Sequence, residues 1–135
     1  MENIMKVTFP GGKRADAEYK GYTIQTDQPV YQGGEGSAPA PFDLFLASLA
    51  TCAGIYVIAF LENRKMSAQD SEVILKIQKN LETKMIEKIT IEVLLPPECP
   101  EKYKNAVLKA VNICAVKQHI LNPPEFETTI TIKSP

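Results

Sequence analysis

The sequence predicts an α+β domain in which antiparallel strands are covered by helices. Three observations support this fold class. Short segments of alternating polar and apolar residues lie on both sides of a long apolar stretch, that stretch has the length of a helix, and a later segment repeats apolar residues at helical spacing. With 135 residues, the chain is expected to form one domain over residues 1–135.

Five segments with period-two alternation are expected to form strands. Two of them precede the apolar stretch, with Pro10-Gly11-Gly12 between them, and three follow it. The polar connection 80–84 predicts an antiparallel hairpin between the third and fourth. The alternating residues are Met5, Val7 and Phe9; Tyr22, Ile24 and Thr26; Val73, Leu75 and Ile77; Ile89, Ile91 and Val93; and Phe126, Thr128, Ile130 and Ile132.

The apolar stretch from Phe42 to Leu61 contains one formal charge, Asp43, and could cross a bilayer as a helix by its length. Polar and small residues interrupt it, so we expect instead a core helix over 41–64, apolar on nearly every side. Such a helix, about 36 Å long, is hard to enclose within one small domain. The N-terminal residues lack a basic region and an apolar run, which predicts a cytoplasmic location and no membrane partner.

A second helix is expected over 100–112, where apolar residues recur at helical spacing. These residues are Tyr103, Ala106, Val107, Ala110, Val111 and Cys114. The preceding proline-rich segment ends the strand before it, and Asn122-Pro123-Pro124 ends any short helix that follows Cys114.

Charge, cysteine spacing and motif content argue against several kinds of ligand. Fifteen Lys and Arg residues against sixteen Asp and Glu residues give a net charge of -1, which argues against binding to nucleic acid or anionic lipid. Three cysteines and one histidine at wide spacing predict no metal site. The glycine-rich loop 32–36 lacks the lysine and hydroxyl residue of a phosphate loop and is interpreted as a flexible loop that leads into the long helix. No cofactor is expected.

Two of the cysteines are candidates for thiol chemistry. Cys52 lies among small residues, which leave room for a substrate or another segment to approach its sulfur. Cys114 ends the apolar stripe of the second helix, so packing of that helix on the first would bring the two thiols together. Cys99 is expected in a surface turn without a role. The alternative, that these thiols are small apolar core residues, stays open.

A reactive Cys52 needs a neighbour that favours the thiolate, since the ordinary pKa of a thiol lies above neutral pH. Arg14, in a flexible turn, is a candidate, although it could equally be a solvated turn cation. Arg64 is too far along the same helix. His119 allows a Cys-His hydrolase, but a surface position on a short helix is the simpler interpretation. The aromatic residues of the long helix are expected in the core or along an apolar pocket beside Cys52.

The segment from Gln32 to Leu44, which contains Ala-Pro-Ala-Pro-Phe-Asp-Leu, leads into Leu-Ala-Thr-Cys at Cys52 and is followed later by Cys114-Ala-Val-Lys. This pattern resembles the OsmC/Ohr family of osmotically inducible proteins and organic hydroperoxide resistance proteins, over essentially the whole chain. The resemblance implies an OsmC-like fold in which antiparallel sheets pack on a long central helix. It also implies an intertwined homodimer with active sites at the interface.

The resemblance further implies a reaction. In that family the cysteine matching Cys52 attacks a small organic hydroperoxide and becomes a sulfenic acid, the cysteine matching Cys114 condenses with it to a disulfide, and a dithiol reductant such as a lipoyl group restores both. An arginine from the opposite chain activates the first thiolate, and Arg14 is the nearest candidate. Phe42, Asp43 and Phe45 are the expected substrate-binding residues.

Two positions depart from the family pattern. Peroxidase-type members carry a glutamate where this chain has Phe42, and that glutamate orients the activating arginine. Ala115 replaces the proline that usually follows the second cysteine. The departure at Phe42 leaves an alternative function open, in which a noncatalytic or redox-sensing protein binds an apolar ligand at the dimer interface.

Overall fold

A computed structural model describes residues 2–135 and divides the chain into two compact units, one ending at Ser48 and the other spanning Leu49–Pro135. Within these residues there are two antiparallel sheets and three α-helices, which confirms the α+β prediction. The longest helix, α1 (Pro41–Glu62), continues from the first unit into the second. The prediction of one domain stays a prediction.

The first unit contains a three-stranded sheet in the order β1 (Lys6–Thr8), β2 (Ala15–Tyr19) and β3 (Tyr22–Thr26). The predicted N-terminal strands are β1 and β3, and the central strand β2 was not expected. A two-residue turn joins β2 to β3, with Lys20 and Gly21 both at positive φ, as a tight hairpin turn requires. In the register, Val7, Ala17 and Ile24 lie side by side on one face of the sheet.

Asp27 orders the glycine-rich loop that leads from β3 to α1. Its carboxylate is buried and accepts hydrogen bonds from the backbone N–H groups of Gln28, Glu35 and Ser37, and from the Ser37 hydroxyl at 2.6 Å. These bonds lower the pKa of Asp27 to about 2, and the Ser37 hydroxyl has the largest effect. A side chain at Gly34 would place its Cβ 2.0 Å from the Gln28 carbonyl oxygen, so this loop requires glycine there.

The second unit contains a hairpin of β4 (Glu72–Lys79) and β5 (Ile86–Leu94), followed by α2 (Lys104–Val111) and α3 (Ala115–Leu121). The hairpin is antiparallel, as the sequence predicts. The expected second helix is shorter than predicted because its first turn, Glu101–Tyr103, is a 3-10 helix. The chain leaves α3 at Asn122, where Pro123 and Pro124 prevent further helix.

The core of the second unit lies between α1 and α2. Six buried residues form it at helical spacing, and apolar residues of both hairpin strands pack against it. The six are Ala53, Val57, Phe60, Leu61, Val107 and Val111. Arg64 follows the end of α1 and packs on two aromatic rings. Its guanidinium lies 3.6 Å from the ring centre of Phe60 and 5.0 Å from that of Tyr103. The guanidinium also donates a hydrogen bond to the Phe60 carbonyl.

Within residues 2–135, α1 is covered on one side only, and Ile55 and Ile58 are 62% and 40% exposed. This agrees with the expectation that one small domain cannot enclose the helix, and its cover by a second chain stays a prediction. One expectation about an apolar segment is wrong. The strand expected over Phe126, Thr128, Ile130 and Ile132 is not formed, because in residues 2–135 no strand edge pairs with that segment. α1 is long and apolar enough for a membrane span, a property that it shares with core helices of soluble proteins.

Candidate functional site

Cys52 and Cys114 lie in the second unit, at the place where α2 packs on α1. Val107 and Val111 hold α2 against the buried side of α1, and the next turn of the same apolar stripe ends in Cys114. Cys114 is 3% exposed and occupies the position before the first residue of α3, and Cys52 is partly buried on α1. Both thiols are free. The structure therefore brings together the two cysteines that sequence reasoning paired.

The two thiols have different electrostatic surroundings. The pKa of Cys52 is held below the ordinary value for a thiol, chiefly by a hydrogen bond from the Cys114 thiol and also by backbone N–H groups of Val116 and Ala115. Burial raises the pKa of Cys114, and its hydrogen bond to Cys52 raises it further. A thiolate therefore forms first on Cys52, while Cys114 keeps its proton.

This arrangement suits a two-step thiol reaction. The thiolate form of Cys52 is a nucleophile, and a protonated thiol in hydrogen-bonding contact can capture an oxidised sulfur before a second oxidation occurs. The donors from Ala115 and Val116 belong to the first turn of α3, where backbone N–H groups have no intrahelical partner. These backbone donors were missed by sequence reasoning, which did not predict where α3 begins.

Arg14 lies in the first unit, in the turn before β2. Its Nη2 is 3.7 Å from Oδ2 of Asp16, and its backbone N–H donates to the Gly11 carbonyl at 3.0 Å. Together with Lys13 and Glu35 it lines a cavity of about 290 Å³. The predicted approach of Arg14 to Cys52 stays a prediction. Asp16 was not a candidate from the sequence, because β2 was not recognised as a strand.

The expected substrate-binding residues lie in the first turns of α1. The rings of Phe42 and Phe45 contact each other with centroids 5.4 Å apart, and they are 54% and 36% exposed. Asp43 also stabilises the start of α1. Its carboxylate accepts a hydrogen bond from the backbone N–H of Ala40 at 3.1 Å and so caps the helix. A role of these three residues in binding a substrate stays a prediction.

The remaining candidates have local partners. His119 is exposed on α3, as expected, and its Nδ1 lies 2.7 Å from the Ala115 carbonyl oxygen. Cys99 lies in a turn after β5, and its partly buried side chain packs against the core of the second unit. Over residues 2–135 the structure shows no group of three or more metal-ligating side chains.

Comparison with known proteins gives one family. The model of the OsmC-like protein family matches residues 34–129, a range that includes Phe42, Asp43, Phe45, Cys52 and Cys114 and that leaves Arg14 outside. No curated protein matches the chain significantly.

The chain is also similar to solved structures, of which 27 chains match. A protein from Psychrobacter arcticus, provisionally named for osmotic stress induction and a detoxification response, has a TM-score of 0.72 at 22% identity, with 87% of each chain covered. An OsmC-like protein from Mycoplasma pneumoniae has a TM-score of 0.68 at 10% identity, with 91% of this chain and 89% of that chain covered. An organic hydroperoxide resistance protein from Legionella pneumophila has a TM-score of 0.55 at 19% identity, with 89% of each covered. At these identities the likenesses show the fold.

Proposed function

The chain belongs to the OsmC family, and from that premise we propose that it is a thiol-dependent peroxidase that reduces organic hydroperoxides. The observation that carries this proposal is the pair of free thiols, with the pKa of Cys52 lowered and that of Cys114 raised. The names of two similar structures support it, since proteins from Legionella pneumophila and Elizabethkingia anophelis are called organic hydroperoxide resistance proteins.

The first step is attack of the Cys52 thiolate on a peroxide oxygen. The sulfur–oxygen bond forms as the oxygen–oxygen bond breaks, and the alkoxide takes up a proton and leaves as an alcohol. Sulfur is thereby oxidised to sulfenic acid and the hydroperoxide is reduced. Arg14 has the role of stabilising the thiolate before the attack, as a guanidinium does beside a reactive cysteine.

The second step forms the disulfide. The sulfur of Cys114 attacks the sulfenic sulfur of Cys52, a sulfur–sulfur bond forms, and the hydroxyl group leaves with a proton as water. A small dithiol such as a lipoyl group then reduces the disulfide by two exchange steps and is itself oxidised to a cyclic disulfide. The contact between the two thiols favours this capture over further oxidation of Cys52.

We also propose that the working unit is a homodimer. The uncovered side of α1 carries Ile55 and Ile58, and the C-terminal segment exposes Phe126, Ile130 and Ile132 by 85–93%. Large apolar side chains exposed in this way are typical of an interface between chains. A monomer as the main species at micromolar concentration would contradict the proposal, and analytical ultracentrifugation measures it.

The reaction is tested with cumene hydroperoxide and reduced protein, in a Cys99→Ser background that leaves two thiols. Free thiols and non-reducing mass spectra are followed with time. The proposal predicts a Cys52–Cys114 disulfide within seconds, trapped sulfenic or overoxidised Cys52 in Cys114→Ser, and no fast reaction in Cys52→Ser. Oxidation no faster than that of a free thiol would refute the peroxidase.

That negative outcome would favour the noncatalytic alternative, in which the protein binds an apolar ligand or senses redox state. One observation on this chain speaks for it, the exposed Phe42 ring at the position where peroxidase-type members carry an acid. A fluorescent apolar probe displaced by ligands, with no change in thiol content, would be its positive signature.

A further inference from the structure

Asp16 carries a buried carboxylate in β2, the central strand of the N-terminal sheet. The residue is 8% exposed, and its Oδ1 has no hydrogen-bond partner among the atoms of residues 2–135. Its Oδ2 lies 3.7 Å from Nη2 of Arg14. Removing a carboxylate oxygen from water without supplying a donor costs free energy. A buried acceptor with unused capacity beside a guanidinium therefore points to a role in holding that guanidinium.

Asp16 is the second residue of β2, and Arg14 lies in the turn that directly precedes the strand. The 3.7 Å between Nη2 and Oδ2 brings the two side chains together at the start of the strand. The cross-strand neighbours of Asp16 are Thr8 on β1 and Gln25 on β3, and neither carries a charge. Within residues 2–135, Asp16 is the residue with which Arg14 forms an ion pair.

The other carboxylates near Arg14 are less suited to hold it. Asp27 lines the same cavity, but hydrogen bonds from the loop that it orders occupy both of its oxygens. Glu35 lies on that loop and is exposed to solvent, so a pair with it would be weak. Asp16, on a strand paired on both edges, offers a fixed acceptor.

We propose that Asp16 is the positioning residue for Arg14, holding its guanidinium in the orientation in which it stabilises the Cys52 thiolate. The inference rests on the proposed function, because it assigns Arg14 the role given there. A guanidinium can form two parallel hydrogen bonds to a carboxylate, and the unpartnered Oδ1 is the acceptor that the second bond would use. A small movement of Arg14 then converts the present ion pair into a fixed, two-bond pair.

The test is the pH profile of Cys52 alkylation by iodoacetamide, with the modified peptide identified by mass spectrometry. Asp16→Asn keeps the side-chain shape and removes the charge. We expect its profile to move to higher pH, and its rate at neutral pH to fall roughly two- to fivefold, as for loss of a partly exposed ion pair. Glu18→Gln, on the same strand but exposed, is the matched control and leaves the profile unchanged. Asp16→Glu keeps a carboxylate, so we expect its profile to lie between those of wild type and Asp16→Asn.

A double variant separates positioning from general damage to the fold. If Asp16 acts through Arg14, Asp16→Asn has no further effect on the profile in an Arg14→Ala background. An equal effect in that background, or a profile for Asp16→Asn that coincides with wild type, overturns the inference.

The same variants distinguish this failure from failure of the peroxidase. A wild-type protein that forms the disulfide with cumene hydroperoxide, with no shift in Asp16→Asn, refutes the positioning role alone. A wild-type protein that does not react with hydroperoxide, with an Arg14-dependent shift in Asp16→Asn, refutes the peroxidase and supports the positioning role.

Discussion

Replacement of Cys114 by alanine removes the hydrogen bond that contributes most to lowering the pKa of Cys52. The backbone donors of Ala115 and Val116 remain, so the pKa of Cys52 should rise without returning fully to the ordinary value. Cys114→Ser is the matched control, because a hydroxyl keeps a hydrogen-bond donor at the same place.

The size of the effect follows from the energy of one hydrogen bond. A net contribution of roughly 0.5–1.5 kcal/mol corresponds to a change of about two- to twelvefold in the ratio of thiolate to thiol. At a pH where Cys52 is mostly protonated, its alkylation rate in Cys114→Ala should fall by that factor. The rate in Cys114→Ser should stay close to that of the parent protein.

The assay measures alkylation of Cys52 with iodoacetamide over a range of pH, in a Cys99→Ser background. Urea unfolding of each variant shows whether the packing of α2 on α1 survives. If Cys114→Ala and Cys114→Ser titrate at the same pH and unfold alike, the thiol at position 114 does not stabilise the thiolate, and the reasoning fails.

Two further predictions concern stability. The protein should lose stability as the pH falls from about 4 to about 2. The Ser37 hydroxyl is the main cause that lowers the pKa of Asp27 to about 2 in the folded protein, below its value in the unfolded chain. The ionised carboxylate therefore stabilises the fold fully above the unfolded pKa, and this stabilisation is lost as the pH falls through the folded pKa. The free energy of unfolding of Asp27→Asn, measured with urea, should lack this pH dependence. If it falls with pH as steeply as that of wild type, the prediction is wrong. Arg64→Ala should lower the free energy of unfolding by about 1 kcal/mol, since it loses the stacking on Phe60 and Tyr103. The free energy of unfolding of Arg64→Lys should lie between those of wild type and Arg64→Ala. A urea midpoint for Arg64→Ala equal to that of wild type would show that the stacking of Arg64 does not stabilise the protein.

Strong local signals in the sequence were sufficient for much of the fold. Pro41 and the apolar stretch after it predicted the start of α1 at the residue where it begins, and the alternation in β4 and β5 predicted the hairpin. The central strand β2 was missed because its first four residues, Ala15, Asp16, Ala17 and Glu18, have little strand propensity. Its pairing with two neighbours forms it, and a single sequence carries no direct signal for that.

The C-terminal segment shows the opposite error. Its alternation of Phe126, Thr128, Ile130 and Ile132 is as regular as that of any strand in the chain, yet within residues 2–135 the segment pairs with no edge of either sheet. Alternation describes the two faces of a segment, and a strand also needs hydrogen-bond partners for its backbone.

The candidate site was predictable only in part. The stripe that ends in Cys114 predicted its approach to Cys52, because helix packing follows directly from spacing. The opposite shifts in the pKa values of the two thiols depend on burial and on the position of the first turn of α3. Neither can be obtained from residue spacing alone.

The order of elements along the chain has a consequence for synthesis of the protein. Apart from the residues of α1 itself, every residue in the core cluster lies after that helix in the sequence. A ribosome therefore exposes the 22 residues of α1, which include an 18-residue window with a mean hydropathy of 2.2, before it has made the hairpin and α2 that pack against them. We expect the nascent chain to depend on a chaperone that holds apolar segments until Val111 has emerged.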